Sequence, residues 1–153
     1  MQPCPLCNQI PEDIYHLIHD CKFTKKMWKH LESTLLKIIN IRVTNHEKAF
    51  GLQHTSKRTE NAVILRNWLT FTLRHCIMQE ERKAHYRKNT EKHEKNFIFN
   101  YRRKISEEAK LKELNYKYTG KEEQFRKIIT SNKAIACRKE DGSYEIKCII
   151  NRN

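Results

Sequence analysis

The sequence predicts a mainly α-helical fold: a compact Cys-rich knuckle, then a bundle of three to four helices, then a C-terminal β-hairpin. Three observations carry this. The 153 residues include only three Gly and three Pro, too few turn formers for an all-β fold of many hairpins or for a Gly-rich phosphate loop. Apolar residues recur at spacings of three and four along most of the chain, the period of an amphipathic helix. After residue 132 the period changes to two. The apolar share is 38% and the charged share 32%, against ~45–50% and ~25% in ordinary globular domains, an average that counts Gly as apolar. A large sandwich or barrel core is disfavoured on that ground.

Each element follows in order. Residues 1–40 form the first unit, in which Cys4, Cys7, His16 and Cys21 lie close together and Pro11 is placed to open a short helix over Glu12 to His19. Phe23, Met27, Leu31, Leu35 and Ile38 then mark the inner stripe of a helix over 22–40 whose outer face carries Lys22, Lys25, Lys26 and Lys29. Residues 41–60 are polar and mixed, with Phe50-Gly51-Leu52 as a turn and Thr55 to Thr59 as a surface loop, and read as a linker. Residues 61–132 form a basic helical region. From Asn61 to Tyr86, Ala62, Leu65, Trp68, Leu69, Leu73, Cys76 and Ile77 make a broad stripe that Ile64, Phe71 and Met78 widen, so this is the most buried helix. Cations at Arg82, Lys83, Arg87 and Lys88 suit its C-terminal end. A second long helix runs from Glu94 to Tyr118 with Phe97, Tyr101, Ile105, Ala109 and Leu114 as its core face, and Gly120 stops it. A short helix over Lys121 to Ser131 buries Phe125, Ile128 and Ile129. In residues 133–153, Ile135, Cys137, Tyr144, Ile146, Cys148 and Ile150 alternate around Glu140-Asp141-Gly142-Ser143, a β-hairpin closed by a two-residue Asp-Gly turn that sets Cys137 and Cys148 diagonally as packing residues.

Charge narrows the class of partner. With 31 Lys and Arg against 18 Asp and Glu, the chain carries +13, and such a chain seeks polyanions. The excess is +3 over residues 1–60, +8 over 61–132 and +2 over 133–153. No apolar run approaches the ~18 residues that span a bilayer, and residues 1–20 lack the basic-then-apolar order of a signal peptide. The expected location is intracellular, in nucleus or cytoplasm, with no membrane partner and no small-molecule substrate. Three of the six Cys fall within the first 21 residues while Cys76, Cys137 and Cys148 are scattered. That is not the density of a stapled secreted domain, and clustered Cys in a reducing compartment means metal or catalysis.

The cluster reads C-x2-C-x8-H-x4-C. A two-residue gap lets a tight turn aim Cys4 and Cys7 at one point, and His16 and Cys21 lie about one helical turn apart, so all four can reach a tetrahedral Zn2+. Three thiolates and an imidazole leave no open position, so the expected cofactor is one structural zinc and the knuckle is a zinc knuckle. His19 is the alternative to His16, and buried Cys at accidental spacing is the reading without metal. Binding requires deprotonated Cys and releases protons. No Ser-His-Asp or Cys-His arrangement stands out among the remaining residues, and Cys76, on the apolar stripe, reads as inert core.

The run CPLCNQIPEDIYHLIHDCKFTKKMW resembles the zinc-binding segment C-terminal to the polymerase of non-LTR (LINE-type) retrotransposon reverse transcriptases, through Cys4, Cys7, His16, Leu17, Cys21, Phe23 and Trp28. Ala49-Phe50-Gly51-Leu52 and Asn61-Ala62-Val63-Ile64-Leu65 look like the tail that follows this knuckle. The resemblance implies a C-terminal piece of a larger RNA-directed DNA polymerase, an expectation that the motif's start at residue 4 also favours. It implies RNA or DNA as partner, with the parent's polymerase domain as a further one. The departures are as informative. The chain contains no Asp-Asp pair and no Pro-Asp, so neither the family's polymerase site nor its nuclease is expected here, and the chain is read as no enzyme.

The candidate nucleic-acid contacts are three basic clusters: Lys22, Lys25, Lys26 and Lys29; Arg82, Lys83, Arg87 and Lys88; and Arg102, Arg103 and Lys104. Trp28 either stacks on a base or closes the core. The competing reading makes the knuckle a staple and the helices after residue 60 a protein-interaction surface, and a decayed remnant is the third.

Overall fold

The computed structural model describes residues 2–9, 13–39, 44–51, 60–86, 93–129 and 136–146, the side chains of 34–39, 93, 136 and 146 excepted. Among the described residues the fold is mainly helical. A short wide turn of helix, His16–Asp20, precedes α1 (Lys22–Ile39), α2 (Asn45–Phe50), α3 (Glu60–Tyr86), α4 (His93–Tyr118) and α5 (Glu122–Ile129), and the chain closes with β1 (Ala136–Arg138) paired antiparallel to β2 (Tyr144–Ile146). The predicted openings at Pro11 and Glu12, the Leu52 and Thr55 to Thr59 loop, and Ile135, Cys148 and Ile150 lie outside the described residues.

The centre of the fold is α3, which packs against α1, α2, α4, α5 and the His16–Asp20 turn. A helix surrounded in this way buries more than one stripe. Leu65, Trp68, Leu69, Leu73, Cys76 and Ile77 are buried as their period predicts, and so are Arg66, Thr70, Thr72 and Glu80. Ala62 stays partly exposed and Phe71 exposed. Against α3, the core face of α4 is Phe97, Tyr101, Ile105 and Ala109, at strict four-residue spacing. Leu114 does not belong to it and is 63% exposed. The position that continues the spacing is Glu113, which pairs with Arg138 at 3.5 Å across to the hairpin.

Buried polar groups lock α3 to α4. The Glu108 carboxylate accepts from Trp68 Nε1 at 2.6 Å and from Thr72 Oγ1 at 2.8 Å, and the Tyr101 hydroxyl donates to the Leu69 carbonyl at 3.0 Å. Such bonds satisfy groups whose burial would otherwise cost about 1–3 kcal/mol each. Burial, with the Glu108 charge, pushes the Cys76 thiol up to about 11, which keeps it protonated and unreactive.

α4 ends as predicted at Gly120, whose φ of +73° lets Lys121 N–H reach the Tyr116 carbonyl at 2.7 Å and its own N–H reach Lys117 at 3.1 Å, a Schellman closure. α5 then buries Phe125, Ile128 and Ile129. Phe125 contacts the Tyr116 and Tyr144 rings, and Ser106 Oγ donates to the Tyr144 carbonyl at 2.8 Å, so the hairpin is a lid on the far end of α4. Its connection differs from the two-residue Asp-Gly turn expected. The register pairs Arg138 with Tyr144 and Cys137 with Glu145, and Lys139 N–H bonds the Ser143 carbonyl at 2.7 Å, which leaves three residues in the loop. Gly142, at φ +80°, takes the left-handed position that such a loop requires.

Within the segment read as a linker stands α2. Thr44 and Glu47 form a capping box, the Glu47 N–H bonding Thr44 Oγ1 at 3.3 Å and the Thr44 N–H bonding Glu47 Oε2 at 2.8 Å. The same carboxylate accepts from the fully buried Arg66 guanidinium at 2.6 Å. Burial alone would raise the Glu47 carboxyl, but the Thr44 amide and Arg66 together hold it below the ordinary carboxylate range. Gly51 ends the helix at φ +81°, and a Cβ there would lie 2.5 Å from Phe71 Cζ and 3.1 Å from Asn67 Oδ1.

Two outcomes are expected. Gly51→Ala meets both the backbone penalty and the Phe71 ring and should lower unfolding free energy by about 1–3 kcal/mol in denaturant melts. A carboxyl with a lowered pKa stabilises the fold above its unfolded value, and that contribution disappears as pH falls through the folded value. Stability should therefore decline below about pH 4.3, and Glu47→Gln should both destabilise the chain at neutral pH and flatten that decline.

Candidate metal centre

The centre is built from two short pieces of backbone. Residues 4–8 fold into a tight turn in which the Cys4 carbonyl accepts from Cys7 N–H at 3.3 Å and from Asn8 N–H at 2.7 Å, with Asn8 at φ +58°. Asn tolerates that left-handed position better than most residues. The turn sends both thiols of the C-x2-C pair to one side. The second piece begins at Asp13, whose side chain accepts from His16 N–H at 2.6 Å and whose carbonyl accepts from Leu17 N–H at 2.9 Å.

A spacing of five between His16 and Cys21 is awkward for an α-helix, which carries positions five apart roughly 140° round its axis. The chain resolves this with a wide turn: Cys21 N–H bonds the His16 carbonyl at 2.8 Å, a five-residue closure. Such π-type turns are frequent at functional sites. Cys21 then leaves the helix at φ −56° and ψ 128° and opens α1, its carbonyl accepting from Lys25 N–H at 2.8 Å. Trp28 pins α1 back on the turn by donating Nε1 to the Ile18 carbonyl at 2.8 Å. It is 1% exposed, so of its two expected roles it takes the core.

The ligand atoms of Cys4, Cys7, His16 and Cys21 all lie within 4.8 Å of one another. Cys4 and Cys21 Sγ are 3.9 Å apart, and Cys7 Sγ is 3.4 Å from His16 Nε2. Cys4 and Cys21 are fully buried and His16 nearly so. The His16 Nδ1 has no partner, so nothing else in the described structure competes for the ring. This Cys3His group can hold a metal ion. Burial, with the neighbouring Cys21 charge, pushes the Cys4 thiol up to about 12, so a metal ion must displace its proton. His19 is not in the group. Its ring packs on Tyr15, with centroids 4.8 Å apart, and burial lowers its pKa, helped by the nearby Lys48 charge.

The expected basic residues are distributed over three helices. Lys22, Lys25, Lys26 and Lys29 are exposed on one face of α1, opposite Thr24, Met27, Trp28 and Leu31. Lys25 pairs with Asp20 at 3.4 Å and Lys26 bridges to Glu94 of α4 at 2.8 Å. Arg82 is exposed near the C-terminal end of α3 and Lys83 partly so, while Arg87 and Lys88 lie outside the described residues. On α4, Arg103 is exposed and pairs loosely with Glu107 at 3.9 Å, Lys104 pairs with Glu108 at 3.8 Å, and Arg102 turns its Nε inward. No described helix is long and apolar enough to cross a membrane. Sequence reasoning did not find the Asp13 contact or the five-residue closure. An Asp three residues before the His was the available signal.

Cys4→Ser and His16→Ala should each reduce bound metal from one equivalent to near none, read by elemental analysis after gel filtration, while His19→Ala keeps the full equivalent. Affinity should fall as pH drops, because each proton restored to a thiol opposes the metal. Neither a protein-family model, a curated protein nor a solved structure matches this chain.

Proposed function

We propose that this chain is a zinc-dependent nucleic-acid-binding module, related to the C-terminal zinc-binding segment of LINE-type reverse transcriptases, that grips RNA or DNA through phosphate contacts and catalyses nothing itself. Zinc is the metal that the donor set favours. Four ligands around one Zn2+ at ordinary bond lengths stand about 3.8 Å apart for sulfur pairs and about 3.6 Å for sulfur and nitrogen, and the separations of 3.9 and 3.4 Å are close to both. The ion would be structural, since three Cys and one His leave no open position.

The observation that carries the nucleic-acid reading is the attachment of the lysine stripe to the metal centre. Cys21 is at once a candidate ligand and the residue that opens α1, so the centre sets the direction of Lys22, Lys25, Lys26 and Lys29. Lys22 and Lys29 carry no ion pair among the described residues, and the pairs of Lys25 and Lys26 are exposed, where such pairs are weak and readily exchanged. The charge of +13 supports the same reading. A second reading, docking on a polymerase domain of a parent protein, draws on the exposed Phe99, Leu111 and Leu114 of α4.

Binding of RNA and DNA should weaken steeply with salt. Replacing Lys22, Lys25, Lys26 and Lys29 together by Ala should cut the slope of log affinity against log salt by roughly 3–4, measured by fluorescence anisotropy. Salt-independent binding, or an unchanged slope, would overturn the proposal.

A further inference from the structure

The helical turn that supplies His16 has a second face. Ile14, Tyr15, Ile18 and His19 stand with His46 and Phe50 of α2 around an open groove of about 590 Å3, floored by Arg74 and Met78 of α3. That volume is in the range of clefts that hold small ligands, about 300–1,000 Å3. Two of its aromatic rings are unusually bare: Tyr15 is 60% exposed and Phe50 is 74% exposed. Each is nevertheless braced, Tyr15 by the His19 ring at 4.8 Å and Phe50 by the His46 ring at 4.9 Å. Both pairs are one helical turn apart, so the rings are held in place before anything binds, and little ordering entropy is lost when something does.

The groove's charge says what that something is. Its lining includes Arg74 and two imidazoles and no carboxylate. Arg74 is held at the floor by donating Nη1 to the Ala49 carbonyl and lying over the Phe71 ring, and among the described residues its other donors have no partner, which leaves them and its positive charge for a ligand. A flat aromatic ligand joined to negative charge meets all of these features, and an apolar peptide side chain would leave the cation unmatched.

We infer that the groove takes an unpaired nucleobase of a single strand, stacked on Tyr15 and Phe50, with the adjoining phosphate attracted by Arg74. This rests on the nucleic-acid reading above and adds to it a preference: the lysine stripe is indifferent to strandedness, whereas the groove admits only a base released from its pair. Stacking of this kind tolerates every base, because each has a π-face.

The test uses the metal-loaded full chain, a 2-aminopurine-containing single-stranded oligonucleotide, and the duplex of the same sequence. The single strand should bind more tightly than the duplex, with quenching of 2-aminopurine. Tyr15→Leu combined with Phe50→Leu should weaken single-strand binding by at least about fivefold, abolish the quenching, and leave duplex affinity unchanged. Both side chains are exposed, and an unchanged circular dichroism melt reports that the variant is folded. Wild-type affinity and quenching in that variant would overturn the inference while leaving the phosphate reading in place. Absence of binding to either nucleic acid by the unaltered chain would remove both.

Discussion

The candidate metal centre and the start of α1 depend on a single backbone bond, the five-residue closure from Cys21 N–H to the His16 carbonyl. An α-helical register would point the two side chains apart. A wide turn brings both toward Cys4 and Cys7, and the Ile18 carbonyl within it accepts from Trp28 Nε1. Because Cys21 also opens α1, the ligand geometry and the direction of the next helix are one constraint. The core of this half, Leu17, Ile18, Met27, Trp28 and Leu31, assembles around that corner.

The second half depends on charge placed inside. Arg66 is buried as completely as the apolar residues beside it, and its Glu47 partner belongs to a helix of only six residues. Too short to persist alone, α2 is held by that ion pair, by its capping box, and by the Lys48 contacts with Glu32 at 2.8 Å and with the Trp28 ring. Glu108, partly exposed, joins α3 to α4 through the neutral donors Trp68 and Thr72, so the buried ion pair is that of Arg66 and Glu47. Breaking one partner of such a pair strands a charge in a dry interior, a more severe loss than the pair's own net contribution.

These arrangements explain what was legible in the sequence. The long helices were, because α3 and α4 repeat their apolar period over enough turns to outweigh local exceptions, and the convergence of the four candidate ligands was, because Cys and His at those spacings are chemically rare. α2 was not, since six residues contain too little period, although Thr44-Asn45-His46-Glu47 spells a capping box. The hairpin itself was legible but its loop length was not: Asp141-Gly142 serves either a two-residue or a three-residue connection, and the Lys139 to Ser143 bond decides between them. Leu114 failed as a core residue because composition cannot say that Glu113 is needed at the hairpin. The groove beside His19 draws on three elements, and no single stretch of sequence announces it.

One consequence concerns the start of α1. Its first turn has no acidic residue and instead carries Lys22 and Lys25 at the positive end of the helix dipole, where each cation costs about 0.3–1 kcal/mol. With a divalent ion bound, three thiolates leave the centre with one negative charge, and Cys21 places that charge at the N-terminal position where a helix most favours an anion. The metal centre would then serve as an electrostatic counterweight as well as a staple, permitting a row of cations where the helix by itself would resist them.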